Sequence, residues 1–168
     1  MRPLHRIRVA GVTMIELVFV IAVLAVLAAL ALPALGARFE RQRLAAAAET
    51  YSADLSEARF EAARLGQSLY IEATSAEKTW CWAVSTQAGC DCTQAQACQL
   101  RNVKSTSHAG IHLIEPKPVR LDPAGTADAM TAVTFESSRG ERLRVDLQAL
   151  GRVRICTAAG PDKRYPHC

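Results

Sequence analysis

Between Leu17 and Leu32 the chain runs through sixteen apolar residues without a break, and the apolar character continues past Pro33 to Leu35. Built as a helix rising about 1.5 Å per residue, the stretch from Leu17 to Leu35 spans roughly 30 Å, the thickness of one bilayer core. Residues 17 to 37 carry no charge, whereas Arg2, Arg6 and Arg8 precede them and Arg38, Glu40, Arg41 and Arg43 follow. Positive charge ahead of a first span favours keeping that end in the cytoplasm, so the body is expected on the far side of the membrane. A length of 168 residues then leaves room for one globular domain beyond the span,. With half its residues hydrophobic and a fifth charged, the chain as a whole is not of the disordered class,. Without residues 1 to 11 the net charge falls from +4 to +1, which argues against a globally basic nucleic-acid binder and leaves only a local patch open,.

A secretory signal peptide cut near Ala34 or Gly36 would explain an apolar run ending in small residues,. Two features oppose it. The run exceeds the ~7–15 residues of a signal core, and Glu16 lies within the apolar segment that begins at Val12. An unpaired carboxylate in the bilayer costs about 2.5–3.5 kcal/mol even on lenient scales, so it needs a partner. A free amine on Val12 would supply one, and it exists only if the chain is cut between Gly11 and Val12.

The segment Gly11-Val12-Thr13-Met14-Ile15-Glu16-Leu17, followed by the long apolar helix, resembles the class III signal of type IV pilins and pseudopilins. The resemblance implies cleavage between Gly11 and Val12 by a prepilin peptidase in the inner membrane, then N-methylation of Val12. It also implies that Glu16 pairs with the N-terminal amine of an adjacent subunit as a filament assembles. Pro33 lies where these helices carry a proline. Val12 stands where phenylalanine is commonest and Met14 where leucine is, and both keep the position apolar.

Beyond the span, Leu44, Ala48, Tyr51, Leu55, Ala58, Ala62 and Leu65 recur in steps of three and four, an apolar helical stripe,. Arg41, Glu49, Asp54, Glu57, Arg59, Glu61 and Arg64 are expected mostly on the other faces, and Gly66 is a stop signal,. One helix from about Thr13 to Leu65 is therefore expected, its second half packed on a sheet. Strand candidates are Ser68–Ala73, Trp80–Val84, Gly110–Glu115, Ala132–Glu136, Leu143–Leu147 and Arg152–Cys156, separated by turn-forming clusters,. The expectation is an α+β, pilin-like fold: a long N-terminal helix laid on a small, mainly antiparallel sheet. Its divisions are a leader (1–11), a membrane and filament-core helix (12–37) and a periplasmic domain (38–168).

Within that superfamily the body resembles the GspH/FimT group of minor pilins and pseudopilins. The matching pieces are Ser56-Glu57-Ala58-Arg59-Phe60-Glu61-Ala62, Trp80-Cys81 and the terminal Gly151-Arg152-Val153-Arg154-Ile155-Cys156. The group implies a low-abundance subunit that assembles with other pilins, either in a type IV pilus or, as the alternative, in the pseudopilus of a type II secretion system.

All six cysteines follow the apolar segment, and an even count in an exported domain points to disulfides,. Cys156 and Cys168 would close a short loop, much as pilins tie down their C-terminus. Cys90 and Cys92 are too close to bond each other comfortably, so Cys81, Cys90, Cys92 and Cys98 are expected to share two local bridges in a pairing the sequence leaves open. A zinc site of Cys90, Cys92, Cys98 and His108 lacks the paired spacing that structural zinc favours, and neither metal nor cofactor is expected.

Residues 139 to 168 hold seven Lys or Arg against three Asp or Glu, while residues 12 to 138 are net acidic. A hairpin placing Leu147 opposite Gly151, Val145 opposite Val153 and Leu143 opposite Ile155 would put the apolar residues on one face. The other face would then carry Arg142, Arg144, Arg152 and Arg154, with Arg144 and Arg154 as direct neighbours and Asp146 opposite Arg152. Like charges so placed cost stability that an anion would relieve. Gly151-Arg152-Val153-Arg154 resembles the Gly-Arg-x-Arg element with which FimT minor pilins bind DNA during natural transformation, which implicates Arg152 and Arg154. Lys163 and Arg164 would extend the patch. No nucleophile elbow, phosphate loop or zinc-protease motif is present, so the expected mechanism is assembly, not catalysis,.

Overall fold

The computed structural model describes residues 13–76 and 79–168, with backbone only for 32–34, so the cleavage pair Gly11 and Val12 lies outside the described residues. The chain divides into two compact units, Met1–Arg38 and Phe39–Cys168. A single helix, α1 (Met14–Leu65), contributes to both. In the first unit its side chains from Met14 to Ala31 are exposed, and it is long and apolar enough to cross a membrane. Thr13 caps it: the Thr13 side-chain oxygen accepts from the Glu16 N–H at 3.3 Å, which satisfies one of the first-turn donors,.

In the second unit the expected stripe is the core. Leu44, Ala48, Tyr51, Leu55, Ala58 and Ala62 are all buried, joined by Ala45 and Ala47, while Leu65 at the helix end remains exposed. Asp54 departs from the expectation. It is as buried as its neighbours, at 1% exposure.

Instead of one sheet there are two, each four-stranded and antiparallel throughout. The first has the order β3 (Gln99–Lys104), β2 (Thr79–Ser85), β1 (Leu69–Ala76), β5 (Val119–Leu121). The second has the order β4 (Ile111–Ile114), β6 (Thr131–Ser137), β7 (Arg142–Leu147), β8 (Val153–Ala159). Six strands fall where the hydrophobic alternation puts them. The alternation does not reveal the other two: β3 is a polar edge strand with no fully buried residue, and β5 has three residues between Pro118 and Pro123.

The core is an aromatic cluster seated on the helix. Tyr51 meets Trp82 and Phe135 edge-on at ring separations of 5.2 and 5.8 Å, and Trp80 stacks on Trp82 at 5.2 Å. Such contacts add about 0.5–1.5 kcal/mol each beyond the area they bury. The sheets are tied where β2 and β1 approach β4, through Trp80 Nε1 donating to the Ile111 carbonyl at 2.7 Å and the Ser75 hydroxyl donating to the Leu113 carbonyl at 2.8 Å.

All six cysteines are paired, as Cys81–Cys92, Cys90–Cys98 and Cys156–Cys168. The first two fold residues 86–98 over the outer face of β2, where Cys81, Ala83 and Cys92 form a small second core. The third fastens the tail along the outer edge of β8: Thr157 N–H donates to Pro166 O at 2.8 Å and Cys168 N–H to Thr157 O at 3.2 Å. Tyr165 then reaches Glu49 on α1, and Arg164 bonds Asp162 at 2.6 Å.

Candidate functional site

The β7–β8 hairpin pairs two residues away from the expected register. Leu147 faces Val153, Val145 faces Ile155 and Leu143 faces Thr157. The reason lies in the turn. Gly151 takes φ +71, donates its N–H to Gln148 O at 2.8 Å, and Gln148 N–H in turn donates to Arg152 O at 3.0 Å. Glycine here closes a three-residue loop, Ala149 to Gly151, in the left-handed conformation that such loops need at their last position. It belongs to the loop and not to the strand.

Because the slip is by two residues, the faces survive and only the partners change. Val153 and Ile155 pack on the core edge, and Arg152 and Arg154 stay exposed. Arg154, not Arg152, stands opposite Asp146, and Arg144 stands opposite Cys156. The expected Arg144–Arg154 confrontation is therefore absent, and with it the argument that an anion must relieve it.

The four arginines separate into two kinds. Arg142 pairs with Glu136 at 2.9 Å and Arg144 with Asp146 at 2.7 Å. Arg139 is likewise engaged by Glu40, and Arg164 by Asp162, whose carboxyl is held below its usual range chiefly by that hydrogen bond. Among the described residues Arg152, Arg154 and Lys163 are exposed and form no ion pair. The excess positive charge of the C-terminal segment is thus concentrated at the hairpin.

The hairpin tip is held in place from below. A Cβ on Gly151 would lie 2.2 Å from the Gly125 carbonyl oxygen and 2.9 Å from Arg59 Cδ, so only glycine lets the loop settle on the helix,. Arg59 occupies the space under Gly125 and Gly151, and its guanidinium points to the Gly151 carbonyl at 3.5 Å. On the other side of the helix, Asp54 accepts from Trp82 Nε1 at 2.7 Å and meets Arg101 Nε at 2.8 Å. Burial raises its pKa above the usual carboxylate value against the opposing pull of Trp82 and Arg101,.

Sequence reasoning misses Asp54, Arg59 and the exposed Phe60 as residues of consequence. Asp54 is legible in principle: it sits three residues after Tyr51 and four before Ala58, within the buried stripe,. Arg59 and Phe60 gain meaning only from the loops folded against them. Glu16 is exposed on the first turn of α1.

Residues 47–151 match the model of the family described as type II transport protein GspH. The chain belongs to the GspH family. Two solved structures share its fold. The Pseudomonas aeruginosa type IV minor pilin FimU superposes with a TM-score of 0.55 at 21% identity, covering 69% of this chain and 90% of that one. The minor pseudopilin EpsH of the Vibrio cholerae Type 2 Secretion System gives 0.50 at 15% identity, covering 68% and 97%. Comparison with curated protein sequences gave no match. The chain is thus a GspH-family protein with the pilin-like α+β fold of these minor pilin and pseudopilin structures. The GspH match takes in α1 from Ala47, both sheets up to β7, and Gly151, and stops just before Arg152 and Arg154.

Proposed function

We propose that this GspH-family chain is a minor pilin of a type IV pilus that binds DNA through Arg152 and Arg154. Prepilin peptidase cuts it between Gly11 and Val12 and Val12 is N-methylated. Before assembly it sits in the inner membrane with its N-terminus cytoplasmic and residues 38–168 periplasmic. Glu16 then pairs with the amine of a neighbouring subunit, which removes the cost of carrying an isolated carboxylate in an apolar bundle. The observation that supports a DNA role is the pair of exposed arginines, without carboxylate partners among the described residues, on a hairpin pinned to the helix by Gly151. Such residues contact phosphates and confer affinity with little sequence information.

The test is binding of duplex DNA by the oxidised full chain in non-ionic detergent over a salt series, beside Arg152→Gln/Arg154→Gln. The double variant should bind more weakly, and its slope of log K against log salt should be shallower by about 0.9 for each phosphate it no longer neutralises. Equal affinity and slope would refute the DNA role. The family's description as a type II transport protein favours a second reading, a pseudopilin acting in protein secretion. Deleting the gene separates them: loss of piliation supports the first, loss of secretion with pili intact the second.

A further inference from the structure

A cleft of about 290 Å³ opens between α1 and the tip of the β7–β8 hairpin. Ser52, Ser56 and Phe60 line it from the helix, and Gly151, Arg152 and Val153 from the hairpin. Phe60 is 72% exposed. A lone exposed aromatic is ordinary on a protein surface, and by itself it carries nothing. Its surroundings give it a use. Arg59 and Arg152 flank it with no ion pair among the described residues, whereas the nearby acids Glu57 and Glu61 are already engaged by Arg101 and Arg64 at 3.1 and 2.7 Å. The cleft therefore offers positive charge, hydroxyls and one open aromatic face together, at a volume near the lower limit of small-molecule pockets (~300 Å³). That is room for one unit of a repeating ligand.

We infer that this cleft takes an unstacked base of single-stranded DNA, with Phe60 as the stacking surface, Arg152 on the adjacent phosphate and Arg59 as the residue that positions the hairpin tip. The inference rests on the DNA-binding reading and sharpens its ligand class. A duplex keeps its base faces inside the helix, and reaching them costs a few kcal/mol of unstacking per step. A single strand presents them, and stacking on an aromatic side chain tolerates every base because each has a π-face. A partner protein in the cleft is the competing occupant, less favoured because the lining holds two unneutralised cations and only two large apolar groups, Phe60 and Val153.

The experiment measures anisotropy of labelled oligothymidylate, and of a duplex of equal length, with the oxidised full chain in detergent. Phe60→Ala, Phe60→Leu and Phe60→Trp are compared with wild type and with Arg152→Gln. Since Phe60 is exposed, all three variants should melt with the parent. Phe60→Ala and Phe60→Leu should lose roughly tenfold in single-strand affinity, the worth of about one stacked base, with duplex affinity unchanged, while Phe60→Trp retains it. Arg152→Gln should weaken both ligands. Single-strand binding that ignores Phe60→Ala but falls with Arg152→Gln overturns this inference and leaves the DNA reading standing. No binding of either nucleic acid by wild type removes both. Unchanged DNA affinity with impaired filament incorporation of Phe60→Ala would overturn it too and assign the cleft to a neighbouring subunit.

Discussion

Among the described residues Asp54 is the one charged side chain that is buried. Its carboxylate lies beneath Arg101 from β3, against the Trp82 N–H from β2, and beside Tyr51 and Glu57 on its own helix. Burial outweighs the charge-favouring contacts and lifts its pKa above the ordinary 3.8. The folded chain therefore holds that proton more tightly than the unfolded chain does. Its contribution to stability is fully present below the unfolded value and is lost as pH rises through the raised folded value. Urea unfolding of wild type and Asp54→Asn across that window should show the wild type gaining on the variant as pH falls, because asparagine still accepts from Trp82 but does not titrate. A pH-independent difference would mean that Trp82 and Arg101 cancel the cost of burial, and a wild type that loses ground as pH falls would mean that Arg101 holds the carboxylate charged,. The sequence suggests a solvent-facing residue because a charge outweighs helical position in such a reading, and the Trp82 and Arg101 partners come from strands distant in the chain.

The elements are legible wherever burial imposes a period. α1 and six strands follow from stripes and alternation, since one-sided burial writes itself into the sequence. The polar edge strand β3 escapes because nothing buries one face of it, and β5 because three residues are too few to show a period. The register of β7 and β8 escapes for another reason: whether glycine joins the strand or the loop depends on its φ, and Gly151 takes the loop. The local pairing of Cys156 with Cys168 is as expected, but the use the tail makes of it is not visible in the sequence. By bonding Thr157 on both sides, the tail covers part of an edge that would otherwise expose unpaired backbone groups,. Replacing both cysteines with serine should cost about 2–4 kcal/mol, as expected for a loop of this length. It should also speed amide exchange selectively at Thr157 and at position 168. Melting of the double variant, with exchange read by mass spectrometry, checks both.

For the molecule as a whole, the expected outcome at the membrane end is specific. Glu16→Ala should leave the folding of the second unit unchanged, because Glu16 lies in the first, yet exclude the subunit from filaments. Sheared filaments probed by immunoblot, against membrane fractions as control, decide it. The general architecture can be read from the N-terminal segment and the helical stripe, whereas the candidate DNA site cannot be completed without knowing which acids neutralise which arginines. The three disulfides also have a mechanical consequence. They lie within residues 81–98 and 156–168, and α1 contains no cysteine. A tensile force entering through the helix therefore meets no covalent crosslink to the strands. It is borne by noncovalent contacts, among them the Tyr51, Trp82 and Phe135 packing, the Asp54–Arg101 contact and the Glu40–Arg139 and Glu49–Tyr165 pairs, so under pulling the helix should shear from the strands while every sulfur bridge stays intact.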